Sequence, residues 1–155
     1  MQKILALTLL GASLSACTLV GNPTTKDVSG NLVGFPSGAN LRLAVVGYSN
    51  GNYTADGSES QVIDPYITKG FVLDLPRTLG YGTYRVVVFK DANNNNRLDT
   101  GDTVVSRPNT KLLVRAQRDD QYYSGIKTGW NVYDTGNGGS SSLALNNYDL
   151  QYNGN

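Results

Sequence analysis

Beyond residue 27 no stretch of this chain keeps the 3.6-residue spacing of an amphipathic helix. Short apolar runs recur instead, separated by clusters of Gly, Asn, Pro and Asp. A run of that kind buries one or both faces as a strand, and the clusters between supply turn chemistry. The clearest run is Thr83 to Phe89, with Tyr84, Val86 and Val88 on one face and Val87 and Phe89 on the other. The 18 glycines and 10 tyrosines among 155 residues fit the same reading, since Gly punctuates turns and Tyr favours strands. Parallel βαβ folds need crossover helices, for which the sequence holds no candidates.

The other strand signals are Val28 to Gly34, Leu41 to Tyr48, Phe71 to Leu75, Thr103 to Ser106, Lys111 to Arg115, Trp130 to Tyr133 and Tyr148 to Tyr152. Leu41 to Tyr48 is apolar on nearly both faces, as a central strand requires. Phe35-Pro36-Ser37-Gly38 and Pro76 to Gly80 read as turns, and Ser49 to Ser60 as a polar loop. Thr103 to Ser106 and Lys111 to Arg115 could pair across Arg107-Pro108-Asn109-Thr110. Thr135 to Ser142 is Gly/Ser-rich and reads as a loop with no means of packing. The expectation is an antiparallel β-sandwich of about seven or eight short strands over residues 28–155.

Charge and rare residues exclude several functions. There are 13 Lys and Arg against 12 Asp and Glu, with no basic run, so electrostatics give no case for nucleic acid. The chain has no histidine and one cysteine, Cys17. Zinc sites built on Cys or His, an intramolecular disulfide and a His-containing triad are therefore ruled out for this chain. A chain of this length buries a core without such staples.

Met1-Gln2-Lys3 and the apolar stretch Ile4 to Leu14 have the form of a secretory leader. The stretch is shorter than the roughly 20 residues a spanning helix needs. Leu14-Ser15-Ala16-Cys17 closes it and resembles the lipobox of bacterial lipoproteins. The resemblance implies cleavage before Cys17, a diacylglyceryl group on its thiol, and attachment to the cell envelope membrane. Stable attachment takes two or more acyl chains. Loss of Lys3 with the leader leaves 12 positive against 12 negative side chains. Thr18 replaces the Asp that often signals inner-membrane retention, which favours the outer membrane where one exists. Residues 1–16 thus read as leader, 17–27 as a lipidated tether with Gly21 and Pro23, and 28–155 as the domain.

One segment carries recognisable chemistry. In Asp91-Ala92-Asn93-Asn94-Asn95-Asn96-Arg97-Leu98-Asp99-Thr100-Gly101-Asp102, side-chain oxygens fall at positions 1, 3, 5, 9 and 12. A hard cation such as Ca²⁺ takes roughly six to eight oxygens, and this spacing lets one loop wrap it. Asp91, Asn93, Asn95, Asp99 and Asp102 are the candidate side-chain ligands, the Arg97 carbonyl a further one, and Leu98 an apolar tuck. Asn96 stands where an EF-hand has Gly, and Asp102 where it has Glu. Asn enters positive φ at modest cost, while the shorter Asp weakens the closing ligand. Affinity on the order of 10⁻⁴ to 10⁻³ M is the expectation. Strands rather than helices flank the loop. It resembles the Asp-x-Asn-x-Asn-Gly-x-x-Asp calcium loops of secreted bacterial β-sandwich modules, prealbumin-like or carboxypeptidase-regulatory-like. The likeness covers residues 80–103, including the strand Gly82 to Asp91, and implies a structural ion. Asn and Asp also form Asx-turns with no metal.

Other groups are weaker candidates. Trp130 and the tyrosines could form a platform for carbohydrate or peptide, although single aromatics in small sandwiches more often pack the core. Asp119-Asp120 reads as a solvated turn rather than a second cation site. Glu59, the sole glutamate, with Asp56 or Asp64 would form a glycosidase pair only in a suitable cleft. The reading is therefore a non-enzymatic, lipid-tethered, calcium-stabilised β-sandwich with a structural or binding role. A carbohydrate- or peptide-binding module is the first rival, and a carboxylate-based envelope enzyme the second.

Overall fold

A computed structural model describes residues 27–37, 40–54, 61–62, 69–75, 79–142 and 145–154. The leader, Cys17 and nearly all of the tether lie outside the described residues. Among the described residues there are eleven strands and no helix. They are β1 (Val28–Val33), β2 (Leu41–Ser49), β3 (Asn52–Tyr53), β4 (Gln61–Val62), β5 (Gly70–Leu73), β6 (Gly82–Lys90), β7 (Thr103–Val104), β8 (Lys111–Ala116), β9 (Gly129–Asp134), β10 (Gly139–Ser142) and β11 (Leu150–Gln151). One sheet runs β10-β9-β8-β6-β2-β3, with β4 paired to β2 and β7 to β6; the other runs β11-β1-β5. The chain is a small all-β domain of two sheets.

The alternation in β6 sets the layers. Tyr84, Val86 and Val88 enter the main core, shared with Leu43 and Val45 of β2 and with Val28, Leu32, Phe71, Leu73 and Leu150 of the smaller sheet. Val87 and Phe89 face the other way, with Ala44 and Val46, onto Leu98. On the same outer face of the large sheet, Leu112, Val114 and Ala116 of β8 pack on Ile126. Two long loops therefore cover this outer face, each inserting one fully buried aliphatic side chain, Leu98 or Ile126. The tightest pairing is β2 with β6, antiparallel from Leu41↔Lys90 to Gly47↔Tyr84.

The structure departs from the sequence reading in four places. Ser49 to Ser60 does not run as a loop from its start: β3 folds back on β2, pairing Tyr48 with Tyr53 and Ser49 with Asn52. Asn50 (φ 51°) and Gly51 (φ 84°) form the turn, the paired left-handed conformation that Asn-Gly supplies in tight hairpins. Thr135 to Ser142 is not an unpacked loop either. β10 pairs with β9 from Gly139↔Asp134 to Ser142↔Asn131, because main-chain ladders need no apolar side chains. β7 pairs with β6 rather than β8, and β8 lies between β6 and β9. Finally, β11 runs parallel to β1, so the smaller sheet is mixed.

Between β7 and β8 the edge of β6 is finished by side chains. The Val88 N–H donates to Ser106 Oγ at 3.0 Å. The Val86 N–H donates to the Tyr148 hydroxyl at 3.3 Å, and that hydroxyl donates to the Lys111 carbonyl at 3.0 Å. Tyr148 is fully buried. Burial disfavours its phenolate and pushes its pKa far above the ordinary tyrosine value, outweighing the hydrogen bond from Val86. The Tyr148 main chain crosses β1 so closely that a Cβ on Gly30 would lie 2.1 Å from the Tyr148 carbonyl oxygen. Only glycine fits there.

Candidate functional site

The 91–102 loop joins β6 to β7 and lies against the outer face of the large sheet. Its start is fixed where the Asp91 N–H donates to the Asn40 carbonyl at 2.8 Å, and its middle by Leu98, 1% exposed. Asp91 is fully buried. Its carboxylate accepts from the backbone N–H of Asn95 at 3.2 Å and of Asn96 at 2.9 Å, which folds the loop back on its first residue. Two further Asx-turns follow, Asn93 Oδ1 accepting from Asn95 N–H at 3.0 Å and Asn95 Oδ1 from Arg97 N–H at 2.8 Å. Asn94 and Asn96 take the left-handed region, φ 58° and 59°. At Asn96 this meets the expectation that Asn substitutes for glycine.

Four of the predicted ligand residues come together. Asn95 Nδ2 donates to Asp99 Oδ2 at 2.6 Å, and Asn93 Nδ2 lies 3.3 and 3.4 Å from the two Asp99 oxygens. Asp91 joins them through the backbone of Asn95. Asp102 takes a different place. Its Oδ1 accepts from Ala92 N–H at 2.9 Å and its Oδ2 from Asp99 N–H at 3.0 Å, so it staples the two ends of the loop. The Arg97 side chain is exposed. Among the described residues no three Asp, Glu, Cys or His side chains gather as a metal-holding cluster.

A cation from outside the loop does reach it. Arg42 of β2 points from the sheet face into the concave side of the turn. Its Nε donates to Asn96 Oδ1 and its Nη2 to Asn94 Oδ1, both at 2.7 Å, and its Nη1 to the Leu41 carbonyl at 3.1 Å. Nε also lies 3.5 Å from Asp91 Oδ2, with both side chains removed from solvent. Arg42 satisfies the buried carboxylate and holds the two strained asparagines. Sequence reading passed over it, although a lone Arg within an apolar central strand calls for an anionic or carbonyl partner.

The remaining candidates divide simply. Trp130 is half-buried and packs on Tyr84 with ring centroids 5.4 Å apart, so it belongs to the core rim. Asp119 accepts from Lys127 Nζ, Thr128 N–H and Thr128 Oγ1 at 2.9, 2.9 and 3.1 Å, and Asp120 Oδ1 from Gly125 N–H at 2.7 Å. The hydrogen bond from Lys127, then those from Thr128, lower the Asp119 pKa. These bonds make the acidic pair a laced surface turn. Asp56, Glu59 and Asp64 lie outside the described residues.

The fold and the loop define a two-sheet β domain with an Asn-rich inter-strand loop. In comparison with known proteins, the chain matches no family model, no curated protein and no solved structure.

Proposed function

We propose that the chain is a bacterial envelope lipoprotein, held to the membrane by acyl chains on Cys17, whose β-sandwich serves a structural or binding role and is stabilised by calcium at the 91–102 loop. The observation that carries the anchoring half is Leu14-Ser15-Ala16-Cys17 at the end of an apolar leader, using the sole cysteine of the chain. The start of the folded body agrees with it. Asp27 is tied down on three sides: its N–H donates to the Leu73 carbonyl, its own carbonyl accepts from Leu145 N–H, and its carboxylate accepts from Leu75 N–H. On this proposal residues 17–26 link the lipid to the domain.

The calcium half rests on the donor set. Asp91, Asn93, Asn95 and Asp99 offer hard oxygens on one loop, with the Arg97 carbonyl beside them, as the likeness of residues 80–103 to calcium loops implies. Asp91, Asp99 and Asp102 contribute three negative charges against the positive charges of Arg42 and the exposed Arg97, so the loop and Arg42 together carry a net negative charge that a cation would offset. One local change is required. Asn93 and Asn95 turn their Nδ2 groups toward Asp99. A cation there needs their Oδ1 atoms, which a half-turn of each terminal amide supplies at the loss of the bonds those oxygens accept from Asn95 and Arg97 N–H.

The anchor is tested by fractionating cells that express the wild type or Cys17→Ser. The wild type is expected in the membrane fraction, released by detergent and not by salt, with the variant lost from that fraction as a processed lipoprotein. Equal partitioning of the two would remove the proposal.

A further inference from the structure

A second candidate lies beside Tyr122 and Tyr123 in the 117–128 loop. There a cleft of about 500 Å³ opens between the β2–β3 hairpin, the start of β6 and the tip of that loop. Tyr48, Tyr81, Tyr122 and Tyr123 line it. Tyr81 and Tyr122 are 53% and 47% exposed, two of the four large apolar side chains most open to water among the described residues. Ser49, Asn50 and Thr54 add hydroxyl and amide groups to the wall, and Gly47 and Gly82 leave it low. No charged side chain lines it.

Tyr81 is held from behind, and the chain around Tyr122 is fixed. The Arg115 guanidinium sits 5.0 Å from the centroid of Tyr81. The Tyr84 hydroxyl donates to the Gly80 carbonyl at 2.7 Å, fixing the turn that carries Tyr81. Tyr123 stacks on Tyr133 at 3.9 Å, 11° from parallel, so the neighbour of Tyr122 is anchored to β9. Tyr122 itself adopts φ 72°, a conformation rare for any bulky residue. A glycine would take it without strain. The surrounding bonds to Asp119, Asp120 and Gln121 over-determine this backbone. Such strain persists where structure enforces it, and it characterises ligand clamps. Here it keeps a phenol ring in water.

We infer that this cleft binds a neutral glycan, with Tyr81 and Tyr122 stacking on the apolar faces of pyranose rings and Ser49, Asn50 and Thr54 hydrogen-bonding their hydroxyls. The C–H face of a pyranose is flat, apolar and slightly positive, complementary to the negative face of a tyrosine ring. The lining groups themselves are uncharged, while the guanidinium groups of Arg85 and Arg115 lie 4.2 and 5.0 Å from the Tyr48 and Tyr81 ring centroids, so the carboxylated sugar in the titration tests the choice of a neutral ligand. A peptide would have only the outer edge of β3 for strand addition, since Gly47 is paired with Tyr84, Tyr48 with Tyr53 and Thr83 with Val114; the peptide comparison below decides that alternative. The site is independent of the calcium loop and of the lipid anchor.

The test is calorimetric titration of the full-length protein with neutral hexasaccharides of glucose, mannose, galactose and N-acetylglucosamine. A carboxylated hexasaccharide and a proline-rich peptide serve as comparisons. At least one neutral sugar should bind with a dissociation constant below about 1 mM. Tyr81→Ala and Tyr122→Ala should each weaken it roughly tenfold or more, and Tyr81→Trp should retain it. Tyr122→Gly separates the ligand role from a structural one: relief of the positive φ should hold or raise the melting temperature while binding falls. No neutral sugar bound at about 10 mM would overturn the inference. So would preference for the carboxylated sugar or the peptide, or variants that bind as the wild type does.

Discussion

The Tyr148 hydroxyl accepts from Val86 N–H, donates to the Lys111 carbonyl and sits on a ring with no solvent exposure. Its removal leaves a buried donor and a buried acceptor facing each other across a space the size of one oxygen. An unsatisfied buried group costs about 1–3 kcal/mol. Tyr148→Phe should therefore lose stability of that order in urea titrations at neutral pH. Burial also gives the residue a signature in alkali. Its folded pKa is raised, so the native state keeps the proton while the unfolded chain releases it near pH 10. The unfolded state then binds fewer protons, and stability falls as pH rises through about 10 toward the folded value. Below about pH 9 the contribution is complete. The decline between about pH 10 and 11 should be shallower in Tyr148→Phe. An identical slope in both proteins would show that the tyrosine is solvated in the folded state.

Among the elements, the 91–102 loop makes the sharpest demand. A loop laced by its own Asx-turns and by Arg42 is folded without metal, so the proposed calcium would exchange the Asn93 and Asn95 turn bonds for metal contacts. With dissociation constants on the order of 10⁻⁴ to 10⁻³ M, about 10 mM Ca²⁺ should stabilise the fold by about 1.4 to 2.7 kcal/mol. That is several degrees in melting temperature for a domain of this size. Asp91→Asn should lose the shift, and magnesium, which resists full dehydration, should give less of it. Melting curves that coincide with calcium and with chelator would leave Arg42 as the only cation the loop uses. The strands were legible in the sequence wherever side chains carried the period. The two faces of β6 and the double-sided burial of β2 follow from Val and Leu alternation alone. The β2–β3 hairpin is signalled in the sequence by Asn50-Gly51 alone, because only two residues of strand follow the turn. β10 was not legible, since glycines and serines carry no apolar period and its ladder to β9 is main chain. The loop's residues were readable at their spacing, but Arg42 stands 54 residues from Asn96, and only the β2–β6 register brings the two together.

Taken whole, the described residues form a laced, two-sheet body, and the proposed lipid attachment at Cys17 precedes it in the chain. If Cys17 carries the lipid as proposed, ten residues can span at most about 35 Å, and the body would stay close to the bilayer surface. Its outer sheet face carries the two long loops, one holding the calcium proposal and the other edging the tyrosine cleft. With the leader removed as proposed, 12 positive side chains stand against 12 negative ones and give no net pull toward anionic lipid, so the proposed attachment would depend on the acyl chains. Mass spectrometry of the amino-terminal peptide from protein isolated in its native host tests that dependence directly. The account predicts a peptide beginning at Cys17 and heavier by a diacylglyceryl group, with or without a third acyl chain on its amine. A peptide that still begins at Met1, or an unmodified Cys17 thiol, would contradict it.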